Sequence, residues 1–153
     1  MKKLGLLVTV IFAIAVPSTA ASPGYTIAGL KIQPGVGAFG AVPIGSCNLV
    51  TYSGCALKTF TVENVSDVTI RIGGFAVADV DPLIAALAPS APGTGCDFLP
   101  VVDGYWALIP GASCRITVAF SPTQKGPMRN ELHIWYLDQS QPIAVVPLSG
   151  VGT

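Results

Sequence analysis

Four cysteines, one histidine and eight acidic side chains are the groups of this 153-residue chain whose types suit chemistry. Cys47, Cys55, Cys96 and Cys114 admit zinc or disulfides. Zinc asks for clustered thiolates and imidazoles, and the chain has no Cys-x-x-Cys pair and only His133. Disulfides allow three connectivities. The local pairs, Cys47 with Cys55 and Cys96 with Cys114, are favoured because each would clip a loop between neighbouring strands. Closing a loop of about 17 residues contributes on the order of 3 kcal/mol in the chain-entropy model. Nucleophilic catalysis needs a nucleophile, a base and an orienting group. A single histidine and no Gly-x-Ser-x-Gly elbow supply no such set. His133 alternates with Leu132 and Ile134, which marks it as a solvent-facing strand residue rather than a base. Asp79 and Asp81 flank Val80, and Asp97 and Asp103 lie in a second loop, but their spacing is not that of a calcium loop. No catalytic residue, metal or other cofactor is expected, and the protein is not expected to be an enzyme.

Binding is the remaining chemistry. Asp81 to Gly95 places Leu83, Ile84 and Leu87 at helical spacing between prolines, so one or two helical turns are expected there. The segment, Pro82 to Pro92 above all, is either a lid over one end of the fold or an apolar contact site. Tyr105 and Trp106 follow Asp103-Gly104, and Trp135 and Tyr136 point to opposite faces of one strand. Amphipathic aromatics favour interfaces. Trp106 is expected to plug the end of the fold beside a disulfide, with a stacking platform for a sugar or a partner loop as the alternative. The candidate binding residues are Leu83, Ile84, Leu87, Tyr105 and Trp106. Asn64-Val65-Ser66 has the form of a glycosylation sequon, but a turn asparagine explains it without a sugar.

Short elements must position these groups. The chain is 51% hydrophobic and 10% charged, with 17 glycines and 13 prolines, which argues for a packed core and against long helices. Lys2 and Lys3 precede the apolar run Leu4 to Val16, followed by Pro17, Ser18, Thr19, Ala20 and Ala21. That is the pattern of a secretory signal peptide, residues 1–21, cut after Ala20 or Ala21. The run is shorter than the roughly 20 residues a membrane span needs. Residues 22–153 are then one exported domain, periplasmic or extracellular, with six basic against eight acidic side chains. No basic stripe suits nucleic acid. Phe60 and Val62 alternate with polar neighbours, as do Val68, Ile70 and Ile72, and Cys114, Ile116, Val118 and Phe120. These are half-buried strands. Gly35 to Gly45 reads as an edge strand, and Leu132 to Leu137 with Ile143 to Leu148 as a hairpin. Pro147 puts the last strand at an edge or in a bend. Seven to nine such strands describe an all-β, antiparallel sandwich.

Four stretches carry a resemblance: Phe39-Gly40-Ala41-Val42-Pro43-Ile44-Gly45, Phe60-Thr61-Val62-Glu63-Asn64, Leu108 to Pro122 with its Pro110-Gly111-Ala112-Ser113-Cys114 core, and Pro147 to Thr153. In this order, over residues 32–153, the chain resembles the Hydin-type or ASH immunoglobulin-like domain, found in bacterial choice-of-anchor D proteins. The resemblance implies an immunoglobulin-like sandwich, a bridge from Cys114 back to Cys96, a turn glycine at Gly126 and a turn asparagine at Asn64. Ser66 stands where that family carries glycine, so a looser or differently typed turn is expected. Cys47, Cys55 and the Pro82 to Pro92 insertion lie outside the shared pattern. The expected function is a non-catalytic structural or protein-binding module that meets another envelope or extracellular protein. The alternatives are a fibre or pilus-type subunit and a surface carbohydrate-binding module.

Overall fold

The computed structural model describes residues 24–78, 85–88, 94–136 and 140–153. Eleven strands run through them: β1 Tyr25–Ile27, β2 Leu30–Gln33, β3 Gly37–Val42, β4 Ala56–Asn64, β5 Ile70–Ala78, β6 Ala85–Ala88, β7 Val101–Val102, β8 Tyr105–Leu108, β9 Ser113–Phe120, β10 Gly126–Tyr136 and β11 Ala144–Gly152. A 3-10 turn covers Cys96–Phe98. The strands form two sheets, ordered β1-β2-β4-β9-β6 and β3-β11-β10-β5-β8-β7. The fold is an all-β, immunoglobulin-like sandwich. Its strand number exceeds the expected seven to nine because β1 and β7, of three and two residues, add short edges that alternation over four or more residues does not reveal.

Period-two burial builds the core. Phe60 and Val62 on β4 and Cys114, Ile116 and Val118 on its neighbour β9 are buried together on one sheet and pack against Leu132 and Ile134 of β10 in the other. Alternation failed at two places. Val68 precedes β5 and is exposed, while Ile70 and Ile72 are buried. On β9, Thr117 and Ala119 are buried between the apolar positions, so the half of that strand toward Phe120 has no wet face. Gly150 keeps the β11 end thin, since a Cβ there would meet the Phe120 ring at 2.5 Å, and that ring stacks on Phe39.

Pairing direction was not readable from alternation. All pairs are antiparallel except β3 with β11, which run parallel, Leu148 opposite Gly37. β3 is an edge strand, as expected for Gly35 to Gly45. Pro147 lies opposite Glu131 of β10, one residue before β3 joins β11 at Leu148. Among the described residues that half of β11 has no partner strand on its other side, so a missing N–H there costs no ladder bond.

Ala85–Ala88 corrects the expected helical turn. It is a strand antiparallel to β9, with Leu87 opposite Val118. The open side of β9 offers ladder partners, and tertiary pairing of this kind overrides local helical spacing. Leu83, Ile84 and the remainder of the Pro82 to Pro92 segment lie outside the described residues, as do the signal-peptide residues 1–21.

Candidate functional site

Two features anchor one end of the sandwich. Cys96 bonds to Cys114 of β9, and Cys47 bonds to Cys55 across the β3–β4 loop, the two local pairings expected. Beside Cys96, the Arg115 N–H donates to the Thr94 carbonyl at 2.8 Å, so the chain approaching the bridge is held along β9. The second anchor is Asn64, fully buried at the end of β4. Its Nδ2 donates to the carbonyls of Val68 and Leu108, both at 2.8 Å. Its Oδ1 accepts from the Ser66 N–H at 2.9 Å and lies 2.7 Å from Ser66 Oγ. Its own N–H and carbonyl bond Ala112 and Gly111. Asn64 thus ties the β4–β5 corner to the turn between β8 and β9, which answers the expectation for Ser66. The serine tightens the corner through Asn64 rather than loosening it. The sequon is consumed in this network, with no amide left for a sugar.

Between the anchors projects a hairpin. Asp103 and Gly104 have φ of 52° and 88°, and two positive φ values joining two strands make a type I′ turn, for which Asp-Gly is a preferred sequence. β7 pairs with β8, and β8 with β5, so β7 forms the sheet edge. Trp106 lies opposite core-facing Ile72 and stacks on Phe75, ring centroids 5.1 Å apart and planes inclined by 23°. Half-buried against the core, it closes the sandwich at this edge. Tyr105 faces the other way and is buried. The Arg71 guanidinium lies 4.6 Å from its ring centroid, and its hydroxyl donates to Asp103 Oδ2 at 3.2 Å. Burial raises the Tyr105 phenol above 10.0, opposed by the Arg71 charge, so the hydroxyl keeps its proton at neutral pH.

Sequence reasoning missed the exposed apolar residues around this hairpin. Phe98, Val101, Val102 and Ile109 are 57, 66, 45 and 58% exposed, while the two aromatics singled out beforehand point into the core or lie beneath Arg71. The signal was Phe98 and Val101-Val102 beside Pro100 in a loop, but apolar type alone does not separate a lid from a rim. Leu87 belongs to the other sheet, on edge strand β6. The hairpin and Leu87 therefore do not share a strand ladder.

His133 stands on the outer face of β10, as alternation required, with Nε2 2.8 Å from Glu131 Oε2. Its ring meets Trp135 edge-on at 5.3 Å. Among the described residues no group of three or more histidine, cysteine or acidic side chains is placed to hold a metal ion. Asp79 and Asp81 lie outside the described residues.

The β3–β4 loop is a separate, preorganised structure. Asn48 Oδ1 accepts from the N–H groups of Val50 and Thr51 at 2.9 and 3.1 Å, and Asn48 pairs with Ser53 across the loop. Val50 at its tip is 88% exposed.

No family model matches the chain. No curated protein matches it either. Among solved structures it is similar to the ASH/PapD-like domain of human CEP192, with 11% identity and a TM-score of 0.49 over 92% of this chain and 98% of that one. It is similar to the Vibrio cholerae protease VesB, with 18% identity and a TM-score of 0.49 over 81% of this chain, spanning about a third, 32%, of the protease chain. A chaperone–tip adhesin complex of CFA/I fimbriae is similar at 11% identity and a TM-score of 0.45, over 82% of this chain and 59% of that one. All three TM-scores fall below one half, so the immunoglobulin-like architecture rests on the strand order and register described above.

Proposed function

We propose that this protein is an exported, non-catalytic immunoglobulin-like module of the bacterial envelope or extracellular space, and that it works by binding another protein. The observation that carries this reading is the apolar rim of Phe98, Val101, Val102 and Ile109 at the β7–β8 edge, held between a buried disulfide and a buried asparagine. Apolar side chains on an anchored scaffold lose little conformational freedom on binding, which is what partner anchors require. Among the described residues β7 is the sheet edge, and an edge strand offers its backbone groups to a partner. Export is supported by the two disulfides, which persist in oxidising compartments, and by the basic-apolar-small pattern of residues 1–21. The resemblance to ASH domains of choice-of-anchor D proteins supports the same class of role. The Leu83, Ile84 and Leu87 segment is a secondary candidate for partner contact.

The test is capture of envelope proteins by the wild type and by Phe98→Ser with Val101→Asp, each beside a melting curve. Both residues are exposed, so melting is expected to stay unchanged while capture falls, with anchor truncations costing about 1 to 2 kcal/mol or more of binding. Undiminished capture by the double variant overturns the rim as the binding surface. Amino-terminal sequencing of the exported protein checks cleavage after Ala20 or Ala21, and an intact Met1 on that protein refutes it.

A further inference from the structure

The outer face of the six-stranded sheet carries side chains that neither the core nor the apolar rim uses. Glu131, His133 and Trp135 alternate with buried Leu132 and Ile134 and so stand together on that face of β10. Their register partners on β5 are Ala78, Ala76 and Gly74. The ground beside this row is therefore paved with the smallest residues. A Cβ placed at Gly74 would have no heavy atom within 4 Å, which leaves open space at the flank of Trp135. The register slips between Trp135 and Tyr136, with Gly73 as the extra residue on β5, and such a bulge re-aims the side chain beside it. Beyond the two glycines Arg71 is exposed on the same face, its guanidinium over Tyr105. Among the described residues no salt bridge to Arg71 is present, and Asp103 accepts from the hydroxyl of the Tyr105 whose ring the guanidinium covers.

We propose that this trough binds a carboxylate-bearing saccharide, with a sugar ring stacked on Trp135 above Gly74 and its carboxylate, or that of the next unit, at Arg71. The site lies on β10 and β5, with β8 between it and the rim edge β7, and goes beyond that reading. An indole with open space beside it suits the flat apolar face of a pyranose ring. The His133–Glu131 pair beside it offers hydrogen-bonding groups to hydroxyls. Arg71, without a salt-bridge partner among the described residues, selects an anion. Adjacent strands about 4.8 Å apart and two to three residues of about 3.3 Å along β5 separate Trp135 from Arg71 by roughly 8 to 11 Å, the reach of one or two sugar units. A purely apolar ligand would desolvate Arg71, Glu131 and His133 without recompense.

Calorimetric titration of the mature chain with tetragalacturonate tests this, beside maltotetraose as the neutral sugar and tetraglutamate as the carboxylate without a sugar. Tetragalacturonate is expected to bind with a dissociation constant below about 1 mM, more weakly as salt is raised. Trp135→Ala and Gly74→Val should each weaken it about tenfold or more, a loss of about 1.4 kcal/mol. Gly74→Val places a β-branched residue in a strand where space is open, so its melting curve should match the wild type and its loss of binding then reports blockage. Arg71→Gln should remove the preference over maltotetraose. No measurable heat from tetragalacturonate, unchanged binding in both Trp135→Ala and Gly74→Val, or tetraglutamate bound as tightly as the sugar overturns the proposal.

Discussion

The two disulfides are the same bond in opposite surroundings. Cys96 and Cys114 are 1 and 3% exposed within the main core cluster, whereas Cys47 and Cys55 are only half-buried in a surface loop. Sequence separations of 18 and 8 residues would, by loop length alone, make their stabilisations differ by only about 0.7 kcal/mol. Their environments differ far more. The inner sulfurs fill volume between β9 and the 3-10 turn, so that bridge acts both on the unfolded chain and on native packing. The outer bridge fixes a loop whose amides are already satisfied by Asn48. A crosslink is thus worth what it is embedded in as well as what it closes.

Breaking the inner end should produce the largest effects. Replacing Cys96 and Cys114 together by alanine is expected to cost about 2 to 5 kcal/mol in urea unfolding, toward the upper end because packing is lost with the bond. A loss equal to that of the outer pair would refute the difference argued here. Asn64→Ala should cost about 2 to 4 kcal/mol, since it strips partners from the Leu108 and Val68 carbonyls and the Ser66 amide in one step. Hydrogen exchange should show the β8–β9 turn opening with it. The outer pair, Cys47→Ala with Cys55→Ala, should cost about 1 to 2 kcal/mol and leave the exchange of β4 and β9 amides in order. Asn48→Ala should cost no more than about 0.5 to 1 kcal/mol, because the freed Val50 and Thr51 amides reach water. The smallest effect is alkaline. With the Tyr105 phenol raised above 10.0 in the fold, its contribution is fully present below pH 10.0 and is lost as pH rises through the raised value. Tyr105→Phe should flatten that limb of the stability curve, and an unchanged limb would assign it to other groups.

The inner end was also the more legible of the two. Asn64 announced a corner because a short amide beside Val65-Ser66 bonds local backbone, and the structure uses all of that side chain. Both cysteine pairings followed from local closure together with the family resemblance for Cys114. The loop tip at Val50 gave no signal at all, since an apolar side chain in a turn looks the same whether a neighbour covers it or not.

Period two in Phe60 to Asn64, in Cys114 to Phe120 and in Leu132 to Ile134 determined which residues share a face, because a strand's pleat is a local property of its backbone. The Asp103-Gly104 turn was equally local, needing only two residues that tolerate positive φ. The partner of each strand and the exposure of each face depended on contacts distant in sequence. Ala85–Ala88 became a strand because β9, some thirty residues on, had an open edge. β3 joined β11 in parallel from the far end of the chain. Trp106 turned inward onto Phe75 and Trp135 outward beside Gly74, though both are tryptophans on strands, because the register of β5 between them, with its bulge at the glycines, decides which side is core. Alternation is encoded residue by residue, whereas pairing and coverage come into being only when the sheets assemble.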